Sequence, residues 1–144
     1  MKIRRGKKSD LKEIAELFRK GYSEFPYNEK WSKKTALDKI KEYLRRESII
    51  FVLEEKKKII GFIIGKIFLW ERVKKGFGDE LVIDKKFRNK GYGKLLINYM
   101  ISYFKKKGVS SVEGIAVKGS KAFEIYKRMG MKEVKNFVLI NKKI

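Results

Sequence analysis

Cysteine and histidine are both absent from the 144 residues, glutamine does not occur, and proline appears once. Without cysteine the chain can form no disulfide, no thiolate metal site and no acyl-cysteine intermediate. Without histidine it can hold neither a Ser-His-Asp triad nor a histidine-ligated metal, and no metal is expected. Proton transfer must therefore run through Asp, Glu, Tyr, Lys, a terminus or water. Long apolar runs are missing as well. The longest, residues 59–70, is interrupted by Gly61, Gly65 and Lys66 and is too short to cross a bilayer. The first residues carry no charged-then-apolar leader pattern, so a cytoplasmic location without a membrane partner is expected.

Acidic residues are outnumbered, 17 against 38 Lys and Arg, which leaves a formal charge of +21. Two explanations stay open. Such a surface attracts polyanions, whether RNA, a ribosome or a nucleotide cofactor. The same balance, rich in Lys and Glu and free of glutamine, also fits a hyperthermophile-like composition, and the lysines are spread along the chain rather than clustered.

The length fits one domain spanning residues 1–144. Residues 2–5 read as a strand. Ser9 and Asp10 then cap a helix with Leu11, Ile14, Ala15, Leu17 and Phe18 on one face. An aromatic loop with Tyr22, Phe25, Tyr27 and Trp31 leads to a second helix capped by Ser32, with Ala36, Leu37, Ile40, Tyr43 and Leu44 inward. Residues 49–53, 59–70 and 77–84 read as strands, the second apolar nearly throughout, as a strand covered on both faces would be. A helix to Lys107 carries Leu95, Leu96, Tyr99, Met100 and Tyr103 on one face and stops at Gly108. A strand over 109–117, a helix with Ala122, Phe123, Ile125, Tyr126 and Met129, and a final strand within 132–140 complete the chain. The strand–helix–strand unit should form a right-handed parallel crossover.

The segment from Leu81 to Leu96 is the most informative. An apolar strand runs into the basic turn Lys85-Lys86-Phe87-Arg88-Asn89-Lys90-Gly91-Tyr92-Gly93-Lys94, and a helix starts at once. The first N–H groups of a helix lack intrahelical partners and carry partial positive charge, so such a turn favours a phosphate. It is not a P-loop, because Arg88 and Leu95 stand where Gly and Ser or Thr are needed. Nor is it a dinucleotide fingerprint, whose third glycine position holds Leu96. What remains, Arg88-x-x-Gly91-x-Gly93 after Val82-Ile83-Asp84, resembles the acetyl-CoA pyrophosphate loop of the GNAT N-acetyltransferase superfamily. The stretch Ala122-Phe123-Glu124-Ile125-Tyr126-Lys127-Arg128-Met129-Gly130-Met131 resembles the C-terminal motif of that superfamily. Two departures occur: Gly119, followed by Ser120, stands at the usual asparagine, and Met131 at the usual Phe.

The resemblance covers almost the whole chain and implies an α/β domain of order β-α-α-β-β-β-α-β-α-β. Its mixed sheet would have about six to seven strands with about four flanking helices. It implies an acyltransferase moving the acetyl group of acetyl-CoA to a primary amine (protein N-terminus, lysine or small molecule) by direct attack in a ternary complex. Arg88, Asn89, Lys90, Gly91, Tyr92, Gly93 and Lys94 would hold the cofactor pyrophosphate, Val82 and Ile83 the pantetheine arm, and Ser120 and Tyr126 the remainder. Tyr126 would protonate the leaving sulfur, since a phenol of pKa about 10 can supply a thiolate of pKa about 8.5. Glu80 would be the general base, with the neighbouring Asp79 a weaker candidate. Strand alternation sets Glu80 with Val82 and Asp84, and a bulge would reverse that parity. Phe25, Tyr27, Trp31 and Glu80 would form the acceptor site, in a stretch similar to an aminoglycoside-acetyltransferase-like branch of the superfamily. A homodimer is compatible with this reading. The alternative is a basic RNA- or ribosome-binding module on the same scaffold with little or no catalysis, motivated by the lysines near 2–8, 33–46 and 105–107.

Overall fold

Residues 49–53 and 59–65 are buried at every position, and strands buried on both faces require a layer of structure on either side. The computed structural model, which describes residues 1–46 and 48–144, supplies those layers as helices. In chain order the elements are β1 (Lys2–Arg5), α1 (Leu11–Ser23), α2 (Lys33–Arg45), β2 (Ile49–Glu55), β3 (Lys58–Trp70), β4 (Val73–Ile83), α3 (Tyr92–Lys106), β5 (Val109–Gly114) and α4 (Lys121–Arg128). The sheet order is β1-β2-β3-β4-β5, antiparallel as far as β4. The last pair, β4 with β5, is parallel, so α3 is the expected crossover.

Two of the helices, α2 and α4, begin at a capping serine. Ser32 accepts from the Thr35 N–H at 3.0 Å and Ser120 from the Phe123 N–H at 3.1 Å, each satisfying a donor left free by the first helical turn. Asp10 precedes α1, but its carboxylate accepts from the Lys7 N–H and two Arg4 nitrogens instead.

Alternation along the strands divides the core in two. On one face Ile50, Val52, Phe62, Ile64 and Val82 pack against Ile14, Phe18, Ile40 and Tyr43 of α1 and α2. On the other, Phe51, Leu53, Ile60 and Ile63 pack against Leu96, Ile97, Met100 and Phe104 of α3, with Ile125 and Tyr126 of α4 beside them. The buried face of α3 is thus rotated from the expected one. Leu95 and Tyr99 are exposed, because Ile97 and Phe104 fill the sheet side.

Several strand expectations need correction; β5, for one, ends at Gly114 and not at 117. β4 begins at Val73, ahead of the expected position 77, because Trp70 pairs with Val73 across a tight hairpin and carries the ladder on. The sheet has five strands, not about six to seven, and residues 131–144 contain neither helix nor strand. Strand-forming side chains there are adapted to a pleated neighbour, and none lies within hydrogen-bonding reach among the described residues. The expected element order therefore holds except for its last member.

Phe62 is fully buried at the centre of the α1/α2 face. Phe62→Ala should lower unfolding free energy by about 3–5 kcal/mol in denaturant titration. A loss below about 1 kcal/mol would contradict this core.

Candidate active site

β4 and β5 run together only as far as Gly78 and Gly114. Beyond Gly78, β4 continues to Ile83 with β3 as its single neighbour, so its main chain on the β5 side is open. A buried main-chain group without a partner is costly, so this edge is suited to receiving a ligand chain. A cleft of about 990 Å³ lies there, walled by residues of β4, the β4–α3 turn, α4 and the loop after α1.

The opening coincides with a bulge. Ile64 pairs with Glu80 and Gly65 with Gly78, leaving Asp79 as the extra residue on β4. Glu80 nevertheless keeps the face of Val82. It is half-buried, and the hydroxyls of Tyr22 on α1 and Tyr43 on α2 donate to its two carboxylate oxygens. Burial pushes the Glu80 pKa up, and the two hydroxyl donors oppose that shift. The hydroxyls themselves are held firmly protonated by burial and by the adjacent carboxylate. Asp79 is also raised by burial, against the pull of Lys66, whose Nζ lies 3.4 Å from its Oδ1.

Tyr126, on α4, packs with the α3 face of the sheet, and its helix neighbours Ile125 and Met129 line the cleft. Burial, with the carboxylate of Glu80 adding to it, pushes its pKa up to about 12. A phenol in that state remains a proton donor throughout the neutral range.

The glycine-containing turn runs directly into α3, as its composition suggests. Gly91 takes a left-handed conformation (φ 80°) as N-cap of α3 and carries no side chain to occupy the free N–H groups. Gly93 has a different reason to be glycine, since a Cβ there would sit 3.2 Å from Ile125 Cδ1 on α4. Gly91, Tyr92, Gly93 and Lys94 all line the cleft. Arg88 lines the cleft too, but its guanidinium is engaged: its Nε donates to the Ile83 carbonyl at 2.9 Å and its Nη1 pairs with Glu24 at 2.5 Å. It therefore ties the turn to the end of α1. Glu24 also holds the loop beyond it, its carbonyl accepting from the N–H groups of Tyr27 and Asn28 at 3.0 Å each.

Of the expected site residues, Phe25, Tyr27, Val82, Ile83, Arg88, Asn89, Gly91, Tyr92, Gly93 and Lys94 share the cleft wall. The others take different positions. Ser120 is buried, with its hydroxyl capping α4. Lys90 lies over the Phe87 ring, and Trp31 packs edge-on against Phe18. Glu80 and Tyr126 lie just behind the wall, and Tyr22, hydrogen-bonded to Glu80, forms part of it. Sequence reasoning missed the pairing of Tyr22 and Tyr43 with Glu80. The available signal was Tyr43 at an inward position of α2, where a buried phenol needs a partner.

The open α3 start, the free β4 edge and the basic turn fit a phosphorylated cofactor with an extended arm. Comparison with known proteins agrees. The profile of the Acetyltransferase (GNAT) family matches residues 11–131. An uncharacterized N-acetyltransferase of Methanocaldococcus jannaschii is 34% identical over 99% of this chain, which spans 66% of that relative's length. Among solved structures, a possible acetyltransferase from Clostridium difficile 630 superposes with TM-score 0.84 at 17% identity, covering 99% of this chain and 97% of its own. An aminoglycoside N-acetyltransferase in complex with CoA superposes with TM-score 0.78 at 17% identity, covering 99% and 95%. At those identities the structural likeness speaks for the fold alone. The family match decides membership, and the chain belongs to the Acetyltransferase (GNAT) family.

Tyr43→Phe removes one donor to the Glu80 carboxylate and should raise the Glu80 pKa further, read by carboxyl-carbon NMR titration. The same substitution should cost about 1.5–3 kcal/mol of stability at neutral pH. An unchanged Glu80 pKa would show that the hydroxyl does not hold the carboxylate.

Proposed function

We propose that the chain transfers the acetyl group of acetyl-CoA to a primary amine by direct attack within a ternary complex, with Glu80 as proton acceptor and Tyr126 as proton donor. The supporting observation is the parting of β4 from β5, which exposes one open strand edge between the α3 start and the Tyr22–Glu80–Tyr43 cluster. The α3 start, Gly91 to Lys94, would hold the pyrophosphate, and the main chain of Val82 and Ile83 the pantetheine arm. Arg88 contributes by fixing the turn through Glu24 and the Ile83 carbonyl.

Acetyl-CoA supplies an electrophilic thioester carbonyl and a thiolate leaving group. The acceptor enters beside Phe25 and Tyr27, and its ammonium must lose a proton before nitrogen can attack. Glu80 lies behind the Tyr22 hydroxyl, so the proton passes to the carboxylate through that hydroxyl: Tyr22 gives its proton to Glu80 as it accepts one from the amine. The new C–N bond forms as the C–S bond breaks. A main-chain N–H of residues 81–83 stabilises the developing oxyanion, and Tyr126 donates its proton to the sulfur.

The aromatic wall suits a monoamine or peptide amine with an apolar portion. A body of charge +21 repels polycationic acceptors at long range, which places polyamines lower. The elements present are those of an enzyme, and no observation at the cleft favours the RNA- or ribosome-binding alternative. Among the described residues no helix is long and apolar enough to cross a membrane, and we place the reaction in the cytoplasm.

Thiol release from acetyl-CoA over a panel of aromatic monoamines and short peptides tests this assignment. Glu80→Gln should lower kcat about a hundred- to ten-thousandfold with KM little changed, and Tyr22→Phe should approach that loss. Tyr126→Phe should cost about tenfold or more. Unchanged turnover in Glu80→Gln or Tyr126→Phe would remove those roles.

The wild-type pH profile follows from the same shifts. Activity should rise with pH through an acid limb above the ordinary glutamate range, because Glu80 must be ionised and burial raises its pKa. Tyr126 should impose no alkaline loss until pH nears 12. An acid limb at or below the ordinary glutamate range would contradict a buried base.

A further inference from the structure

We propose that the bare face of the β3–β4 hairpin is a stacking platform for a single nucleic-acid strand, a binding function additional to the chemistry of the cleft. β2 accompanies β3 only as far as Gly65, so residues 66–70 run on with β4 as their single neighbour. β4 pairs in turn with β5 over residues 74–78. One face of this distal sheet is covered by α3, since Ile67, Val109 and Val112 join the cluster of Met100 and Phe104. The other face is open. The core under α1 and α2 ends at Ile64 on β3 and includes nothing from residues 66–78.

Strand alternation puts Lys66, Phe68 and Trp70 on that open face, in phase with Phe62 and Ile64. Their partners across the hairpin are Phe77, Lys75 and Val73. A water-facing side of an antiparallel pair is ordinarily polar. Here rings and lysines alternate instead, Lys66 opposite Phe77 and Phe68 opposite Lys75. Lys66 Nζ lies 5.0 Å from the Phe77 ring centre, and Lys75 Nζ 5.1 Å from that of Trp70. Phe68 and Trp70 stand 6.5 Å apart at 81°, so they present separate ring faces and not one closed stack. Trp70 is 51% exposed, Phe68 and Phe77 are half-buried, and none of the three belongs to either core cluster.

This combination fits flat bases joined by anions. Base stacking on an aromatic ring tolerates any sequence, and a base that settles on Trp70 or Phe77 turns the ammonium there toward the adjoining phosphate. The acids beside the platform are already matched, Asp79 by Lys66 at 3.4 Å and Glu113 by Lys75 at 2.7 Å. The hairpin turn adds exposed Arg72 and Lys74 against Glu71. At the inner end Lys39 on α2 and Arg46 after it lie close enough to act on Asp79. A duplex keeps its base faces stacked on one another and cannot use the rings. An acidic polypeptide would satisfy the charge but not the stacking.

Trp31 and Trp70 are the only tryptophans, so Trp31→Phe leaves Trp70 as the sole reporter. The test titrates that chain with an oligouridylate of about 12 nucleotides and, in a parallel arm, an oligothymidylate, the tighter identifying RNA or DNA as the source. Saturable quenching of Trp70 that persists at about 0.3 M salt is expected, because binding by charge alone fades steeply. In anisotropy titrations of the labelled strand, Trp70→Ala should weaken binding about five- to a hundredfold, whereas Trp70→Phe, which keeps a ring, should retain most of it. Equal quenching by poly-glutamate of matched charge would assign the face to an acidic protein. Trp70 emission that moves with protein concentration alone would assign it to a second copy. Either result, absent quenching, or strand binding untouched by Trp70→Ala overturns the proposal.

Discussion

The parting of β4 from β5 at Gly78 is the constraint on which the site depends. A parallel pair held together along its full length would satisfy its own main chain and leave no room between the faces of the sheet. Here the ladder stops at Gly78, and the bulge at Asp79 changes the course of β4 at the same point. Three consequences follow. The strand edge beyond Gly78 is free to pair with something other than protein. The two helical layers, elsewhere separated by the sheet, come into electrostatic contact, so Tyr126 from one side feels Glu80 from the other. The α3 start, pointing its free N–H groups at the opening, becomes one end of a continuous cleft.

Beside that cleft two opposing effects meet at Glu80. Burial raises the pKa of the carboxylate, and the hydroxyl donors lower it. The structure applies both: desolvation is the larger effect and two tyrosines restrain it. Those tyrosines come from different helices, α1 and α2, so the packing that builds the core also sets the protonation of the site. Arg88 and Glu24 add a second tie, between the turn before α3 and the loop after α1. Two sides of the cleft wall are therefore joined at the end of α1.

Much of this was legible in the sequence where a local rule operates. The helices appear through period and caps, Ser32 and Ser120 among them, and the buried strands through continuous apolar runs. The Gly91/Gly93 turn is readable because backbone conformation and close approach each demand glycine. What could not be read depends on contacts distant in sequence. Tyr22 and Tyr43 meet Glu80 across 58 and 37 positions, and no spacing rule links them. Arg88 looked like a free cation because its partner, Glu24, lies 64 positions away. The strand expected over 132–140 has the right side chains, but whether it pairs depends on a neighbour that periodicity does not supply.

The most direct test is calorimetric titration of the full chain with acetyl-CoA at about 0.3 M salt, with ATP as a polyanion control, since that ionic strength suppresses contacts made by surface charge alone. One-to-one binding of acetyl-CoA, at least about tenfold tighter than ATP, is the result the cleft predicts. Equal affinity for the two, or no binding of acetyl-CoA, would contradict a cofactor site between β4 and α3 and leave the positive charge as the only basis for ligand binding.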